Sequence, residues 1–424
     1  MFLPVTPNDL KKLGVERPDV ILVSGDVYID SPYDGIAVIG KTLQAAGYSV
    51  AVISQPDVET AVDIMKFGEP NLFWAVSAGC VDSMVANYTA SKRRRKSDDL
   101  TPGGVNNRRP DRAVIKYTNL IQRFAKEKKP VVLGGIEASL RRIAHYDFWS
   151  NKVRRSVLFD SKADVIIYGE GEKTVVELAA CIRDDQDFSA VRGICYIATE
   201  ANEKYIELPS FEEVNSDKDK FIEMFDKFYV NNDPLNAKGL CQAHANRWLI
   251  QNPPQNYMGT KELDKLHAYG FMYDIHPEYK KQGAVKALET IQFSLMSHRG
   301  CYGECNFCSI TVHYGRTIRS RSERSIVEEA KKMIKHPGFK GYISDVGGAT
   351  ANMFGNHCDI QETTGSCKKK RCSFPSLCEN MHQSHKRQIE LLKRLRALPN
   401  VKKVFVGSGV RHDLVLQDKT FGQA

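Results

Sequence analysis

Seven of the eleven cysteines lie in the last third of the chain, and three of them are spaced closely enough to hold one metal cluster. Cys301, Cys305 and Cys308 are arranged as C-x3-C-x2-C after His298. Three thiolates at this spacing can wrap one face of an iron–sulfur cube, which leaves the fourth iron without a protein ligand. An open metal position is where catalysis can occur. The triplet therefore predicts a catalytic iron–sulfur site, with zinc as the alternative.

A second group of cysteines follows in the segment 357–380, which is rich in Lys, Ser and Pro. Its members are Cys358, Cys367, Cys372 and Cys378. Because the segment has no regular apolar pattern, something other than a hydrophobic core must order it, and a metal would do so. The group predicts a second metal site, either an all-thiolate zinc site or a second iron–sulfur cluster, with free loop thiols as the alternative.

The remaining cysteines, Cys80, Cys181, Cys195 and Cys241, are scattered among apolar neighbours, and we expect them to be small buried side chains. An odd cysteine total argues against a fully disulfide-paired secreted protein. No stretch reaches the roughly 18 apolar residues of a membrane-spanning helix, so no membrane association is expected. The pattern predicts a soluble protein of the reducing cytoplasm, where clustered cysteines are more often metal ligands than disulfides.

The composition is that of a globular protein, with 42% hydrophobic and 26% charged residues among 424. At ~100–200 residues per domain, this length predicts two or three domains. The net charge of +9 includes a basic loop at 92–96 that continues to Arg108, Arg109 and Arg112. This loop is either a solvated face or a surface that neutralises the phosphates of a nucleic acid or anionic cofactor. The absence of interleaved aromatic residues weakens the nucleic-acid interpretation.

The elements that position these groups begin with an α/β pattern in residues 1–189. Predicted strands lie at 20–23, 50–53, 72–76, 131–133 and 165–168, and predicted helices at 36–46, 117–128 and 173–183. The alternation is typical of a doubly wound parallel sheet, where ligands bind beyond the carboxyl ends of the strands. The loops 30–35, 134–135 and 169–172 lie at such ends, and each is either a ligand loop or a tight turn.

Residues 190–290 are the least patterned part of the chain, and we predict a linker or bridging region there. The βα pattern returns at 291–424 with strands at 291–296, 341–346 and 401–406 and a helix at 386–398. Another helix is predicted from a capping box that starts at Ser325. The exit loop of the last strand is polar and contains Ser408 and Arg411, which could contact a cofactor or substrate at the active face of a barrel or lie in a surface loop.

The cysteine triplet, with the aromatic Phe307 before its last cysteine, resembles the signature of the radical SAM enzymes. The resemblance implies a [4Fe-4S] cluster on the three cysteines and S-adenosylmethionine chelated by the open iron. Reductive cleavage would then produce a 5′-deoxyadenosyl radical that acts on a substrate not identified here. It further implies that Phe307, Gly347, Gly348 and Ser408 bind the cofactor, the two glycines through backbone oxygens, although Ala349 replaces the acidic residue that follows them in the family. An electron donor such as flavodoxin or ferredoxin is expected.

The whole chain resembles the YgiQ-type radical SAM proteins, including the segments 134–142, 145–147 and 298–301. The resemblance implies a cobalamin-binding-like α/β domain at 1–189, followed at 291–424 by part of a radical SAM (β/α) partial barrel with a cysteine-rich insert at 357–380. In cobalamin domains the first loop reads Asp-x-His-x-x-Gly. Here Asp30 and Gly35 match, but Pro32 replaces the histidine, and proline cannot ligate cobalt, so cobalamin is a doubtful cofactor.

The length of the C-terminal part indicates how much of a barrel is present. If eight βα units take ~250 residues, a six-unit partial barrel needs on the order of 190, and residues 291–424 hold about three units. We therefore expect the chain to be the front part of a longer protein. Three functions stay open at this point: a radical SAM enzyme with an unknown substrate, a metal-stabilised protein that binds RNA or another polyanion, and an inactive fragment of a radical SAM enzyme.

Overall fold

The structure is a computed structural model that describes residues 1–418 and residue 421. The strands in chain order are Val20–Ser24 (β1), Ile29–Asp30 (β2), Val50–Ser54 (β3), Phe73–Ser77 (β4), Val131–Gly134 (β5), His145–Asp147 (β6), Lys152–Arg154 (β7), Val165–Ile167 (β8), Ile194–Ala198 (β9), Ile206–Leu208 (β10), Leu240–His244 (β11), Arg247–Gln251 (β12), Asp274–Ile275 (β13), Ser294–Met296 (β14), His298–Arg299 (β15), Arg319–Ser320 (β16), Tyr342–Ile343 (β17), Asp345–Gly347 (β18) and Lys403–Val404 (β19).

The helices in chain order are Pro7–Lys12 (α1), Gly35–Ala45 (α2), Ser83–Asn87 (α3), Ala113–Phe124 (α4), Gly135–Leu140 (α5), Val157–Ser161 (α6), Glu172–Arg183 (α7), Phe211–Ser216 (α8), Lys218–Val230 (α9), Thr260–His267 (α10), Pro277–Lys280 (α11), Leu288–Ile291 (α12), Ile310–Tyr314 (α13), Glu323–Met333 (α14), Asp359–Thr364 (α15), Lys386–Arg396 (α16) and His412–Gln417 (α17). A 3-10 helix spans Ala351–Met353.

The N-terminal half forms the predicted doubly wound sheet, whose parallel strands lie in the order β3-β1-β4-β5-β8. Each predicted strand of this half is present, shifted by at most one residue. The predicted helix at 117–128 instead spans Ala113–Phe124, because Arg112 begins it and the extended backbone of Ala125 ends it. The chain changes direction along the sheet between β1 and β4, which makes their carboxyl ends the topological switch point where ligands bind in such folds.

Alternation along β1 shows how the sheet separates two cores. Val20 and Leu22 face the apolar cluster that includes α2 and α7, whereas Ile21 and Val23 face the cluster that includes α4. Successive side chains of a strand point to opposite faces, so a strand covered by helices on both faces is a continuous apolar run. Full burial of each such side chain is worth ~1.5–3 kcal/mol, which fixes the register of this central strand.

The segment predicted as a linker contributes four strands to the same sheet. Strands β9, β12 and β11 pair antiparallel beyond β8, and β10 pairs parallel with β11, giving nine strands. The prediction of a linker or bridging region did not anticipate these strands, because buried polar residues interrupt the apolar runs, as Gln242 and His244 do in β11. The positions of the domain boundaries stay predictions.

The C-terminal part contains two short parallel ladders, β14 with β18 and β17 with β19. The predicted strand at 291–296 is shorter, because α12 occupies its first residue, and the strand predicted at 401–406 pairs only at β19. Helix α14 is capped by Ser322, whose side chain accepts a hydrogen bond from the Ser325 backbone N–H, so the capping box predicted at Ser325 is wrong. The βα alternation itself is present as predicted.

Burial tests the prediction for the four scattered cysteines. Cys195 and Cys241 are buried and Cys181 is partly buried, whereas Cys80 is exposed in the turn after β4. Cys80 departs from the prediction because its apolar neighbours end with the strand. Among the helices of the described residues, none combines the length and apolar character that crossing a membrane requires.

Candidate functional site

The three cysteines of the triplet lie on one loop that leaves β15 and enters α13, and each is partly exposed. The loop is tied down at both ends, since the Cys301 N–H donates to the Gly315 carbonyl at 3.1 Å and the Cys308 N–H donates to the Cys305 carbonyl at 2.9 Å. We call residues 301–308 the cysteine loop. Its sulfurs are therefore accessible on a fixed backbone, as a cluster ligand set requires.

Two groups near the sulfurs favour thiolate ligands. The Gly303 N–H donates to Cys301 Sγ at 3.4 Å, and Arg411 Nη1 lies 3.4 Å from Cys305 Sγ. Gly303 is a close-approach position, because a Cβ there would lie 2.5 Å from Arg411 Nη1. Burial raises the pKa of Cys301, so a metal has to supply the positive charge that deprotonates it. The donor set fits an iron–sulfur cluster, and Arg411 is drawn to it from a segment about a hundred residues away.

The two predicted glycines and Ser408 converge beside this loop. Gly347 ends β18, pairs with Met296 of β14, and would meet Ser408 Oγ at 2.2 Å if it carried a Cβ. Its carbonyl already accepts a hydrogen bond from the Ser297 N–H at 2.7 Å. The structure thus brings Ser408 and the glycines together, and the Gly347 oxygen already accepts two hydrogen bonds, because the Ser297 hydroxyl also donates to it at 3.1 Å.

The sequence argument missed His298, which lies under the glycine pair. A Cβ on Gly348 would stand 2.7 Å from the His298 carbonyl oxygen. The ring is buried, its Nδ1 lies 2.9 Å from Ser297 Oγ, and the backbone of Thr350 is a hydrogen-bonding neighbour of the ring. Burial lowers the pKa of His298 to about 4, so the ring is neutral near pH 7. The neutral ring is therefore held between Ser297 and the backbone of Thr350, beneath the glycine pair.

Glu304 lies in the middle of the cysteine loop and holds the loop in place through its buried carboxylate. Its backbone adopts the left-handed conformation at φ 46°, and its buried carboxylate accepts from the Tyr229 hydroxyl at 2.8 Å. Arg316 lies 3.4 Å from the same oxygen. A non-glycine residue held at positive φ costs of order 1–3 kcal/mol, so surrounding contacts must hold it there. Tyr229 belongs to α9, which means that the segment predicted as a linker supports the cysteine loop.

Phe307 is the most exposed member of the predicted cofactor residues. Its side chain is 93% exposed, at the outer edge of the cysteine loop. Exposed aromatic rings of this size have apolar surface to bury against a ligand or partner. The structure is consistent with a contact outside the folded core and assigns Phe307 no internal role.

The second cysteine group packs against the cysteine loop. Cys358 and Cys372 are buried in one apolar cluster with Tyr302, which Cys301 and Cys378 border. Burial raises the pKa of Cys372 to about 12, and the nearby thiols of Cys358 and Cys367 add to this effect. Arg316 donates to the Cys367 carbonyl at 2.7 Å, which joins the insert to the cysteine loop.

The four thiols of the insert do not form a compact ligand set in this structure. Within the part of the chain that the structure describes, no three of these sulfurs lie within 4.8 Å of one another. In a tetrahedral zinc site with 2.3 Å bonds the sulfurs would be roughly 3.8 Å apart. The second metal site stays a prediction, and the arrangement offers no support for zinc.

At the switch point of the N-terminal sheet, buried charged side chains of the protein lie beyond the strand ends. Arg109 is buried there, with Nη2 2.5 Å from Asp26 Oδ1 and 3.0 Å from Asp98 Oδ2. Its Nε donates to the carbonyl of Gly25, directly after β1. Burial raises the pKa of Asp26, and Arg109 opposes that shift. Arg109 of the basic loop therefore lies in the protein interior and not on its surface.

The loop at 30–35 is also covered. The backbone of Asp30 pairs with β13, and its carboxylate lies 3.1 Å from Lys41 Nζ, with both side chains buried. Asp34 caps α2, and burial raises its pKa to about 7. Pro32 occupies the position of the family's cobalt ligand. This loop therefore offers no histidine to a cobalt ion, and its acidic side chains are held by the chain's own backbone and side chains.

The loop at 169–172 contacts the C-terminal part through buried ion pairs. Glu170 holds both terminal nitrogens of Arg319, at 2.6 and 2.8 Å, and Glu172 lies 2.7 Å from Arg299 Nη1. Fork-to-fork arginine–carboxylate pairs are strong and directional. The loop at 169–172, which the sequence offered as a ligand loop or a tight turn, thus fixes the α/β domain to β15, which leads into the cysteine loop, and to β16, which follows α13.

The exposed part of the basic loop lies beside aromatic side chains from elsewhere in the chain. Lys92 Nζ lies 4.7 Å from the centre of the Phe148 ring, and Trp149 packs between Phe148 and Tyr88 at centroid distances of 5.2 and 5.5 Å. Phe148 is 46% exposed. The interleaved aromatics that the local sequence lacks are therefore supplied by β6 and the turn after it.

Comparisons with known proteins give the family of the chain. The sequence model of the family "Radical SAM N-terminal" matches residues 2–294. A UPF0313 protein of Fusobacterium nucleatum is 52% identical over 423 residues, which cover 100% of this chain and 74% of the relative. A UPF0313 protein of Thermotoga neapolitana is 49% identical over 422 residues, covering 99% of this chain and 74% of that protein.

Among solved structures, the chain is similar to the radical S-adenosylmethionine methyltransferase TsrM of Kitasatospora setae, determined with cobalamin and a [4Fe-4S] cluster bound. The identity is 16%, the TM-score 0.43, and the match covers 79% of this chain and 49% of that one. The family match and the relatives define a protein of the radical SAM class, whose members are enzymes. The chain belongs to the UPF0313, or YgiQ-type, family within that class.

Proposed function

We propose that this chain holds a [4Fe-4S] cluster on Cys301, Cys305 and Cys308 and binds S-adenosylmethionine at the open iron. The cluster and its cofactor, when bound, supply a 5′-deoxyadenosyl radical that abstracts hydrogen from a substrate not yet identified. The observation that carries the proposal is the convergence of three remote segments, namely the cysteine loop, the Gly347–Gly348 turn and the loop of Ser408 and Arg411. Such a cluster is stable in a reducing cytoplasm.

Each protein group has a definite task in this proposal. The N–H of Gly303 and the guanidinium of Arg411 stabilise thiolate charge, since hydrogen bonds to charged groups are worth about 1.5–3 kcal/mol. The Gly347–Gly348 turn lets a bound molecule approach the backbone closely. The neutral ring of His298 packs beneath that turn. Ser408 is held in place by Asp345 Oδ1, which accepts from its N–H at 3.0 Å.

An external one-electron donor is part of the proposal. The insert presents four consecutive cations, residues 368–371, on the exposed surface that adjoins the cysteine loop. Opposite charges steer association between proteins, and an acidic carrier such as a flavodoxin or ferredoxin is complementary to this surface. The basic run therefore supports docking of the reductant near the cluster.

We also propose that cobalamin is not a cofactor of this chain. The support is the filled switch point around Arg109 and the Pro32 substitution. Equilibrium dialysis of the reconstituted protein against hydroxocobalamin should show no saturable binding. Retention of one equivalent after dialysis against buffer would overturn this part of the proposal without affecting the cluster assignment.

The central test is anaerobic reconstitution with iron and sulfide. The wild-type chain should gain an iron–sulfur absorption band, and the variant with Cys301, Cys305 and Cys308 all changed to Ala should lose it. Cys80→Ala with Cys181→Ala removes two cysteines outside the loop and is the matched control, expected to keep the band. Reduction with S-adenosylmethionine present should yield 5′-deoxyadenosine. Iron uptake unaffected by the triple change would sink the proposal.

A second candidate function, binding of a single-stranded nucleic acid, is supported by the pairing of Lys92 with Phe148 and Trp149. Cations neutralise phosphates while exposed rings stack on bases, at ~1–3 kcal/mol for each base. Fluorescence anisotropy with an unstructured oligonucleotide should show salt-dependent binding that Phe148→Ala weakens. Tyr342→Ala, also an exposed aromatic, is the control. No binding at low salt would remove this candidate.

A further inference from the structure

A set of metal-ligand side chains that the proposed function does not use lies on the outer face of the cysteine-rich insert. Atoms of His357, Asp359 and His382 lie within 4.8 Å of one another, and among the described residues this is the group of three that meets that distance. We propose that these residues bind one divalent metal ion of borderline softness, represented by Zn²⁺, which clips the two ends of the insert together. The proposal does not depend on the radical SAM chemistry.

The backbone explains why the three side chains share a face. His357 and His382 are directly opposite each other in an antiparallel bridge, with hydrogen bonds of 2.9 and 3.3 Å in both directions. Their neighbours Cys358 and Met381 point inward to the apolar cluster around Tyr302. Because successive residues of an extended chain face opposite sides, both histidines point outward, and Asp359 joins them two residues after His357.

The spacing is close to that of a metal site. The two imidazole rings stack with centroids 4.6 Å apart and planes 17° apart, and His382 Nε2 lies 3.4 Å from Asp359 Oδ2. Tetrahedral zinc with bonds of 2.0–2.2 Å separates its ligand atoms by roughly 3.3–3.6 Å. The side chains of His382 and Asp359 are 54% and 75% exposed, so small rotations can close the remaining gap. The donor set leaves a fourth position for water.

The chemistry of the donors selects the class of ion. Imidazole suits Zn²⁺ and its neighbours in the first transition row, and a single carboxylate lowers the net charge of the complex. A hard cation such as Mg²⁺ prefers oxygen ligands and would gain little from two imidazoles. The site is therefore chemically distinct from the thiolate ligands of the cysteine loop.

Binding at this site would have a structural consequence for the insert. The ion joins residues 357 and 382, and the chain between them carries Cys367, Cys372, Cys378 and the exposed run 368–371. Closing a loop by a metal restricts the open states of the segment. The clip thus holds the insert against Tyr302 and the cysteine loop.

The test uses the untagged, cluster-reconstituted chain and Co²⁺ as a spectroscopic probe. One equivalent should bind with ligand-field bands and without a thiolate-to-cobalt charge-transfer band, and Zn²⁺ should displace it. His382→Gln and Asp359→Asn should weaken binding at least about tenfold, the scale on which even groups behind a ligand act. His336→Gln is the matched control, because His336 lies 4.0 Å from the carboxylate of Asp274. A thiolate band, or His382→Gln binding like wild type, would overturn the site.

Limited trypsin digestion tests the clip itself. Zn²⁺ should slow cleavage within residues 368–371 severalfold in the wild-type chain and in His336→Gln, and should have no such effect in His382→Gln. Circular dichroism of each variant checks that the exposed substitutions leave the fold intact. If Zn²⁺ protects His382→Gln as well as wild type, or protects neither, the ion does not clip the insert through these residues.

Discussion

Two sets of parallel strands in this chain end in clusters of polar groups, and the clusters differ in what they leave accessible. After β1 and β4, Asp26, Asp98 and Arg109 are buried and form ion pairs with one another. Beside the ladder of β14 and β18, the cysteine loop after β15 and the loop of Arg411 after β19 leave partly exposed cysteines and an exposed Phe307. The same kind of position in an α/β fold thus serves in one domain as an internal joint and in the other as a site. Strand ends mark where a site can form, and the side chains that arrive there decide whether it does.

The largest expected effect on stability tests the buried ion-pair network beyond β1 and β4. Arg109→Leu leaves Asp26 and Asp98 buried without a cation, and removing one partner of a buried ion pair costs about 3–5 kcal/mol. Denaturant unfolding should show that loss, and adding Asp26→Asn should recover part of it. Arg93→Leu changes an exposed member of the same loop and should stay within about 0.5 kcal/mol. Equal effects of the two arginines would mean that the switch point is not held closed by this network.

The next effect concerns pH and the buried histidine of the same domain. His244 is stacked between Phe159 and Phe211, and burial lowers its pKa to about 3 from 6.5. Below pH 6.5 the unfolded chain takes up a proton that the folded chain excludes, so stability falls as the pH drops towards 3, by up to about 1.4 kcal/mol per unit.

His244→Phe should remove that contribution, so its loss between pH 7 and 4.5 should be smaller than wild type's by about 2–3 kcal/mol. Urea unfolding across this range measures the difference. His145→Phe should reduce the pH dependence of stability over a narrower pH range, because burial lowers the pKa of His145 only to about 4. Parallel stability curves for His244→Phe and wild type would show that the ring is protonated within the folded chain.

A smaller effect, on the potential of the proposed cluster, is expected at the cysteine loop. Arg411→Ala removes a cation 3.4 Å from Cys305 Sγ, in a side chain that is partly exposed. Loss of positive charge disfavours the reduced cluster, so the potential should become more negative by roughly 40 mV, equivalent to about 1 kcal/mol for one electron. Redox titration followed by electron paramagnetic resonance measures the shift, and Arg411→Lys should retain most of the wild-type value. An unchanged potential would place Arg411 away from the cluster.

The smallest effect on stability is expected at Phe307. Because its side chain is 93% exposed, Phe307→Ala should change the free energy of unfolding by less than about 0.5 kcal/mol. Phe354→Ala, a matched change at a buried ring, should cost about 3–5 kcal/mol. In the reconstituted chain, Phe307→Ala should weaken S-adenosylmethionine binding severalfold by calorimetry. Unaltered affinity would remove Phe307 from the cofactor site.

Much of the architecture could be predicted from local pattern, because buried strands and amphipathic helices have characteristic periods. Strands β1, β3 and β4 were located this way, and the parallel order followed from the alternation of strands and helices. The four strands between 194 and 251 could not be found, since polar residues such as Gln242 are buried within them. Their polarity is explained by tertiary partners, as when Gln242 donates to the Pro209 carbonyl.

The cysteine spacing by itself predicted an iron–sulfur site, because three thiolates within eight residues of one another can hold one cluster. Tertiary structure alone decided which residues from distant parts of the sequence contact these sites. Arg411 reaches Cys305, Arg109 closes the switch point, and His357 meets His382. These pairs are set by strand pairing and by packing across long stretches of chain, and no local pattern encodes contacts of that range.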